Sequence, residues 1–374
     1  MTHRERFHAV FNYQSFDRLP VYFFGTWPET KTRWAKEGLT GIVHRGGSGG
    51  PQLPEMDPDW EGCIWTNQDL ITPAPLSEEP TRVVEETDQY RVVRTPLGGV
   101  VKESTGGSSI AQHLQPDLKP TRKDWERFRR FLDSHDPARW LPGWEEKTDE
   151  LNARDGVSCF FGGSLFGRMR EWLTLENISF LPVDDPLLYE EMVEYMADFY
   201  MAVAEPILER VNFDFAYFFE DCCCRSGPLV SPRVYQEVLD KHYRRMIEFY
   251  RDMGVPLMLI DSDGKVDDLL PLWLDTGFDI IFPIEIGTWG ADPLAMRKTY
   301  GRRLRMLGGV DKHVIPRGES AIYEHLARLR DVVEDGGCIP IPDHRIPPDC
   351  SLEQFRTYLR VFKQLFCKPD TVAG

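Results

Sequence analysis

The sequence predicts an α/β fold, a (β/α)₈ TIM barrel in one domain over residues 1–374 with a β-hairpin excursion at about 82–104. Three observations predict it. Short apolar runs alternate with helical patterns from about residue 157 onward. The runs are apolar almost without interruption, as suits parallel strands buried on both faces. Most of the helical patterns stop at a glycine.

The strand runs are VSCFFGGS (157–164), FDFAYFFED (213–221), VPLMLIDSD (255–263), FDIIFPIE (278–285), LRMLGGVD (304–311) and CIPIPDH (338–344). Two further candidates lie upstream, RLPVYFFG (18–25) and GCIWTNQD (62–69). Eight such strands close a barrel. Between them, 232–254 carries Tyr235, Val238, Leu239, Tyr243, Met246, Ile247 and Tyr250 at helical spacing and ends at Gly254. Residues 265–277, 291–301 and 319–337 read as helices ending at glycine, and 351–366 opens on a capping box, Ser351 with Gln354. Residues 82–104 alternate around a Gly-Gly turn and read as an antiparallel hairpin, whereas 40–58 are Gly- and Pro-rich and read as a loop.

Composition narrows the function. The chain has 374 residues, 41% of them hydrophobic, enough for a large core. Its formal net charge of −16 argues against nucleic acid as the main partner. No run of about 18 apolar residues exists, so no membrane span is expected. The start, MTHRERF, opens no apolar stretch, and the eight cysteines include no CxxC pair. The expectation is a cytoplasmic protein with reduced thiols and no zinc knuckle.

What ends the strands points to chemistry. Glu220 and Asp221 end one, Asp261 and Asp263 the next, and Glu285, Asp311 and His344 the following three. The C-terminal strand ends of a (β/α)₈ barrel form its active-site face. A carboxylate buried there needs a metal, a cation or hydrogen bonds. Each residue also has a plain reading. Asp263 before Gly264 suits a helix N-cap, Asp311 a local ion pair with Lys312, and His344 a satisfied loop histidine. The run Cys222-Cys223-Cys224 reads first as small apolar packing, since adjacent extended residues point in alternating directions. Gly162-Gly163-Ser164 before a helix offers backbone N–H groups to an anion. Arg168 and Arg170 beyond it are candidates for a substrate carboxylate, or members of a solvated helix face.

These residues bring a family into view. RERFHAVFNYQSFDRLPVYF, FGGSLFGRMREWLTLEN, EDCCCRSGPLVSPRVYQEV, GGVDKHVI and IPDHRIPPDCSLEQF resemble segments of the uroporphyrinogen decarboxylase superfamily, and the likeness covers nearly the whole chain. That superfamily includes cobalamin-dependent methyltransferases. The decarboxylase proper holds its porphyrinogen with two arginines after the Pro-Val strand. Here the stretch reads Phe23-Phe24-Gly25-Thr26-Trp27-Pro28, without either arginine, so uroporphyrinogen is not the expected substrate. By the same resemblance the decarboxylase's catalytic Asp falls on Asp69 and its C-terminal His on His344.

In the methyltransferase branch a His-x-Cys-Gly zinc motif and a late Cys occupy strand ends. Those positions read Asp261-Ser262-Asp263-Gly264 and His344 here. The resemblance therefore implies a metal-dependent methyltransferase passing a methyl group between a small substrate and a corrinoid. Asp261, Asp263 and His344 would hold zinc or another divalent metal, with Glu285 beside them. No DxHxxG corrinoid module is present, so the corrinoid would arrive in trans, on a separate protein or free. Asp261, Glu285, His344 and Asp69 are the catalytic candidates; Glu220, Asp221, Asp311, Arg168 and Arg345 are the substrate-binding ones. The alternatives are a cofactor-free decarboxylase of a porphyrinogen-like or other carboxylate substrate, a barrel that binds without turnover, and, last, a glycosidase built on paired carboxylates. A homodimer is implied by resemblance.

Overall fold

A computed structural model describes residues 1–40, 53, 55–57, 70–105 and 111–367. The chain opens with α1 (His3–Phe11), which is closed by a Thr2–Glu5 capping box, and α2 (Pro28–Lys36). Four antiparallel strands follow, β1 (Arg82–Glu86), β2 (Tyr90–Arg94), β3 (Val100–Ser104) and β4 (Gln112–Gln115). They pair in the order β1-β2-β3-β4. The hairpin at 82–104 is therefore three strands of a small sheet, and the fourth, β4, lacks the apolar alternation that would have marked it.

The parallel sheet holds six strands. They are β5 (Cys159–Gly163), β6 (Phe215–Phe219), β9 (Met258–Asp261), β10 (Ile280–Ile284), β11 (Arg305–Val310) and β12 (Cys338–Pro342), with the ribbon of β7 (Cys223–Cys224) and β8 (Gly227–Pro228) beyond β6. Their order, β12-β11-β10-β9-β6-β5, follows the chain, and every pair is parallel. All six expected runs are strands, and all but the first residue of β11 and the last of β6 are buried.

Helices return the chain between strands: α3 (Gly167–Leu173), α4 (Pro186–Leu208), α5 (Asp240–Asp252), α6 (Leu270–Thr276), α7 (Ile286–Trp289), α8 (Pro293–Tyr300), α9 (Glu319–Arg328) and α10 (Leu352–Phe366). Gly277 ends α6 at a φ of 118°, a left-handed cap suited to glycine. The capping box of Ser351 and Gln354 opens α10. The expected helix at 319–337 is instead two, since the α-turns give way at Leu329 between α9 and Arg330–Glu334.

Eight closed strands are not found among the described residues. The run 62–69 lies outside them. The run 18–25 is not a strand. Pro20 has no N–H, and the Val21 N–H goes to the Asp57 carboxylate (2.9 Å) while Val21 O accepts from the Asp57 N–H (3.2 Å). At its end the segment lies against the chain beyond β12. Thr26 bridges Ile346 in parallel, flanked by bonds from Ile346 N to Gly25 O (2.9 Å) and from Trp27 N to Ile346 O (3.3 Å). The ring of Phe24 then meets Phe282, the middle residue of β10, at 4.9 Å between centroids. No helix among the described residues is long and apolar enough to cross a membrane.

Candidate active site

The C-terminal ends of β9, β10 and β12 bring together Asp261, Asp263, Glu285 and His344, with Asp221 following β6. Asp261 is the last residue of β9, in register with Phe219 on one side and Phe282 on the other. Its Oδ2 accepts a short hydrogen bond from the Tyr217 hydroxyl on β6, and both residues are buried. Burial raises the Asp261 pKa well above the ordinary value, the Asp263 charge adds to this, and the Tyr217 bond opposes it. Burial and the neighbouring charge thus favour the protonated form of this side chain.

Asp263 faces His344, with Oδ2 and Nε2 3.2 Å apart. Its Oδ1 is buried and has no hydrogen-bond partner among the described residues. His344 is oriented by aromatic rings, Phe24 edge-on at 5.0 Å and Trp27 at 5.9 Å. Glu285 accepts from Gly264 N (2.6 Å) and from the Thr288 hydroxyl (2.7 Å). Burial, then the Asp263 charge, raises its pKa. Asp221, at a φ of 42°, is bound by Arg170 through its carbonyl and carboxylate, each at 2.5 Å. Burial raises its pKa, and Arg170 opposes the shift.

The expected metal triad of Asp261, Asp263 and His344 is not assembled in this arrangement. Among the described residues no group of three His, Cys, Asp or Glu side chains converges as a metal requires. Asp261 is turned to Tyr217 and Glu285 to Gly264 and Thr288, which leaves Asp263 and His344 as a pair.

Three of the substrate-binding candidates have partners within the protein. Glu220 is internal: its carboxylate accepts from Leu165 N (2.8 Å), Phe166 N (2.8 Å) and Gly167 N (3.1 Å), the start of α3. Burial pushes its pKa up to about 7 against those bonds. Asp311 caps the turn after β11 by accepting from His313 N (2.9 Å). Arg345 stacks over Trp27, 5.1 Å from the ring centroid. Arg168 lies to one side, against Phe161 and Phe219. Asp69 lies outside the described residues.

Two functional groups were missed in the sequence. Tyr217 is one aromatic among many in FDFAYFF, and only the β6–β9 register sets it beside Asp261. Asp343 did carry a signal, since it directly precedes His344. It is fully buried and accepts from Ile286 N (2.9 Å), Gly287 N (2.8 Å) and Lys312 N (3.1 Å), so one carboxylate ties together the loops after β10, β11 and β12. Of the cysteine run, Cys222 and Cys223 are buried, the Cys222 thiol being pushed up by burial, while Cys224 is half-buried with its thiol at Ser226 and Gly227.

No protein-family model matches this sequence, and no curated protein sequence does. Solved structures do. A methyltransferase from Methanosarcina mazei superimposes with a TM-score of 0.56 at 14% identity, covering 97% of this chain and 99% of that one. The chain shares the fold of that methyltransferase. Two weaker likenesses are a B12-independent methionine synthase from Shewanella sp. W3-18-1 (TM-score 0.38, 12% identity, 76% of this chain and 72% of that one) and one from Listeria monocytogenes described as putative (0.34, 11%, 61% and 69%). At 14% identity the likeness to the methyltransferase is one of fold, and the chemistry rests on the site's own residues.

Proposed function

We propose that this chain is a methyl-transfer enzyme in which a neutral buried acid, Asp261, activates the heteroatom of a small substrate. The observation that carries the reading is the Tyr217–Asp261 pair beside the His344–Asp263 pair. Because Tyr217 donates to Oδ2, the carboxylic proton of Asp261 resides on Oδ1. A methyl group leaves a heteroatom more readily when that atom gains a proton as the carbon–heteroatom bond breaks. Asp261 supplies the proton, and the Asp263–His344 pair holds the substrate's polar group beside it. The other methyl carrier is a corrinoid supplied in trans, as the sequence resemblance implies; this chain acts at the substrate end. The fold shared with the Methanosarcina mazei methyltransferase supports the reading.

The test is methyl transfer from a panel of N-, O- and S-methylated small molecules to added cob(I)alamin, followed by the cobalamin absorption spectrum. Wild-type protein turns over at least one class. Asp261→Asn, which keeps an acceptor for Tyr217 but loses the acid, slows by about 10²- to 10⁴-fold. His344→Ala also loses activity, and both variants keep their thermal melts. Wild-type turnover in Asp261→Asn would sink the reading. A second reading, cofactor-free decarboxylation, draws on the same neutral acid as the proton donor to a carbanion; carbon dioxide release in place of cobalamin methylation marks it.

A further inference from the structure

A second feature opens beside the acid cluster. A cavity of about 220 Å³ lies between the segment 71–75, β5 and α3. Its walls are mostly apolar, with Ile71, Pro73, Phe161 and Trp172, and Tyr200 and Arg168 are polar members of the lining. The Arg168 guanidinium sits 5.6 Å from the Phe161 ring centroid and 5.0 Å from that of Phe219. Its Nη1 donates to Glu171 (2.6 Å). The Nε and Nη2 N–H groups have no protein acceptor among the described residues. Elsewhere the site's arginines are committed, Arg170 to Asp221 and Arg345 to the Trp27 face.

A guanidinium against aromatic walls, with part of its fork unused, matches a planar carboxylate. A multiply charged phosphate would call for more than one cation. Position links the cavity to the acid. Phe161 pairs with Tyr217 across β5 and β6, and Phe219 pairs with Asp261 across β6 and β9. Two strand spacings separate β5 from β9, about 10 Å.

We propose that this cavity is a carboxylate subsite in which Arg168 holds the acid end of the substrate. Under the methyl-transfer reading, on which the word substrate rests, the molecule carries a carboxylate at one end and its methylated heteroatom several bonds away, at Asp261. Anion binding itself does not depend on that reading.

The experiment is saturation-transfer NMR with butyrate and, as its uncharged counterpart, butyramide, on the full-length protein. Wild type binds butyrate and not butyramide. Arg168→Gln weakens butyrate roughly tenfold or more, and Arg168→Lys falls between. Ala74→Leu, at the cavity rim, weakens butyrate while leaving the guanidinium in place, and near-UV circular dichroism checks the fold of each variant. Equal binding of acid and amide overturns the proposal. So does butyrate binding that is unchanged in both Arg168→Gln and Ala74→Leu. Asp261→Asn binds butyrate as wild type does, so a failure of methyl transfer and a failure of this subsite are read separately.

Discussion

Asp261 and Glu220 are both buried carboxylates at the ends of adjacent strands, and their surroundings give them different work. Glu220 spends its oxygens on three backbone N–H groups at the start of α3. Removing it leaves those donors buried without an acceptor, which costs about 3 kcal/mol. Glu220→Ala is therefore expected to move the denaturant midpoint sharply downward, and an unchanged midpoint would show that the three bonds are dispensable. Asp261 has one hydrogen bond, from a phenol, and burial raises its pKa. Asp261→Asn is expected to stay within about 1 kcal/mol of wild type in the same denaturation series, because volume and acceptor are kept. A large loss of stability there would make Asp261 a structural residue and not the acid proposed above.

At the scale of elements, the site depends on how tightly loops pack behind the strand ends. Gly264 has a φ of 90°, and a Cβ there would lie 2.7 Å from the Cys224 backbone on β7. Its N–H also holds Glu285. Gly264→Ala must push the loop off β7, at a cost of roughly 1–3 kcal/mol. Asp263 moves with it, so turnover is expected to fall far more than the melting temperature; equal, small effects on both would show that the loop tolerates the shift. The same loops explain what the sequence could and could not show. Strand ends were legible because apolar runs stop at acids, and α10 because Ser351 and Gln354 sit at capping-box spacing. The strand at 18–25 failed for a local reason, the pairing of Val21 with Asp57, a residue 36 positions on. Arg139 was equally hidden. Its donors reach Asp133 O, Thr72 O, Ala74 O and Phe131 O, and so fasten the segment that walls the Arg168 cavity. No spacing rule links residue 139 to residue 72. The Tyr217–Asp261 contact was illegible for the same reason, since it exists only once β6 lies beside β9.

At the scale of the whole molecule, the gathering of acids at one end of the sheet makes stability depend on pH in a stated direction. Asp261, Glu285, Glu220 and Asp221 all have raised pKa values, chiefly through burial. In the unfolded chain such groups ionise near pH 4, at about 3.9 for Asp and 4.3 for Glu. Above that pH the folded state binds more protons than the unfolded one. Stability then falls as pH rises, by up to about 1.4 kcal/mol per pH unit for each group within its window. For Glu220 the window closes at about 7. Asp17, held low by its hydrogen bonds from Arg6, acts in the opposite sense: its contribution is complete above about pH 4 and is lost as pH falls. His242 and His325, whose pKa values burial lowers, also cost stability as pH drops below about 6.5. Four raised carboxyls outnumber two lowered histidines, so the balance is a fall in stability as pH rises above the carboxylate range. Melting temperatures measured across about pH 5 to 8 should therefore fall for the wild type toward the alkaline end. The Asp261→Asn protein, which has no proton to lose at that position, should show a flatter decline, so that the gap between the two narrows or reverses as pH rises. A wild-type curve that instead climbs toward pH 8, parallel to that of the variant, would mean that Asp261 is ionised in the folded protein, and the neutral acid on which the methyl-transfer reading rests would be gone.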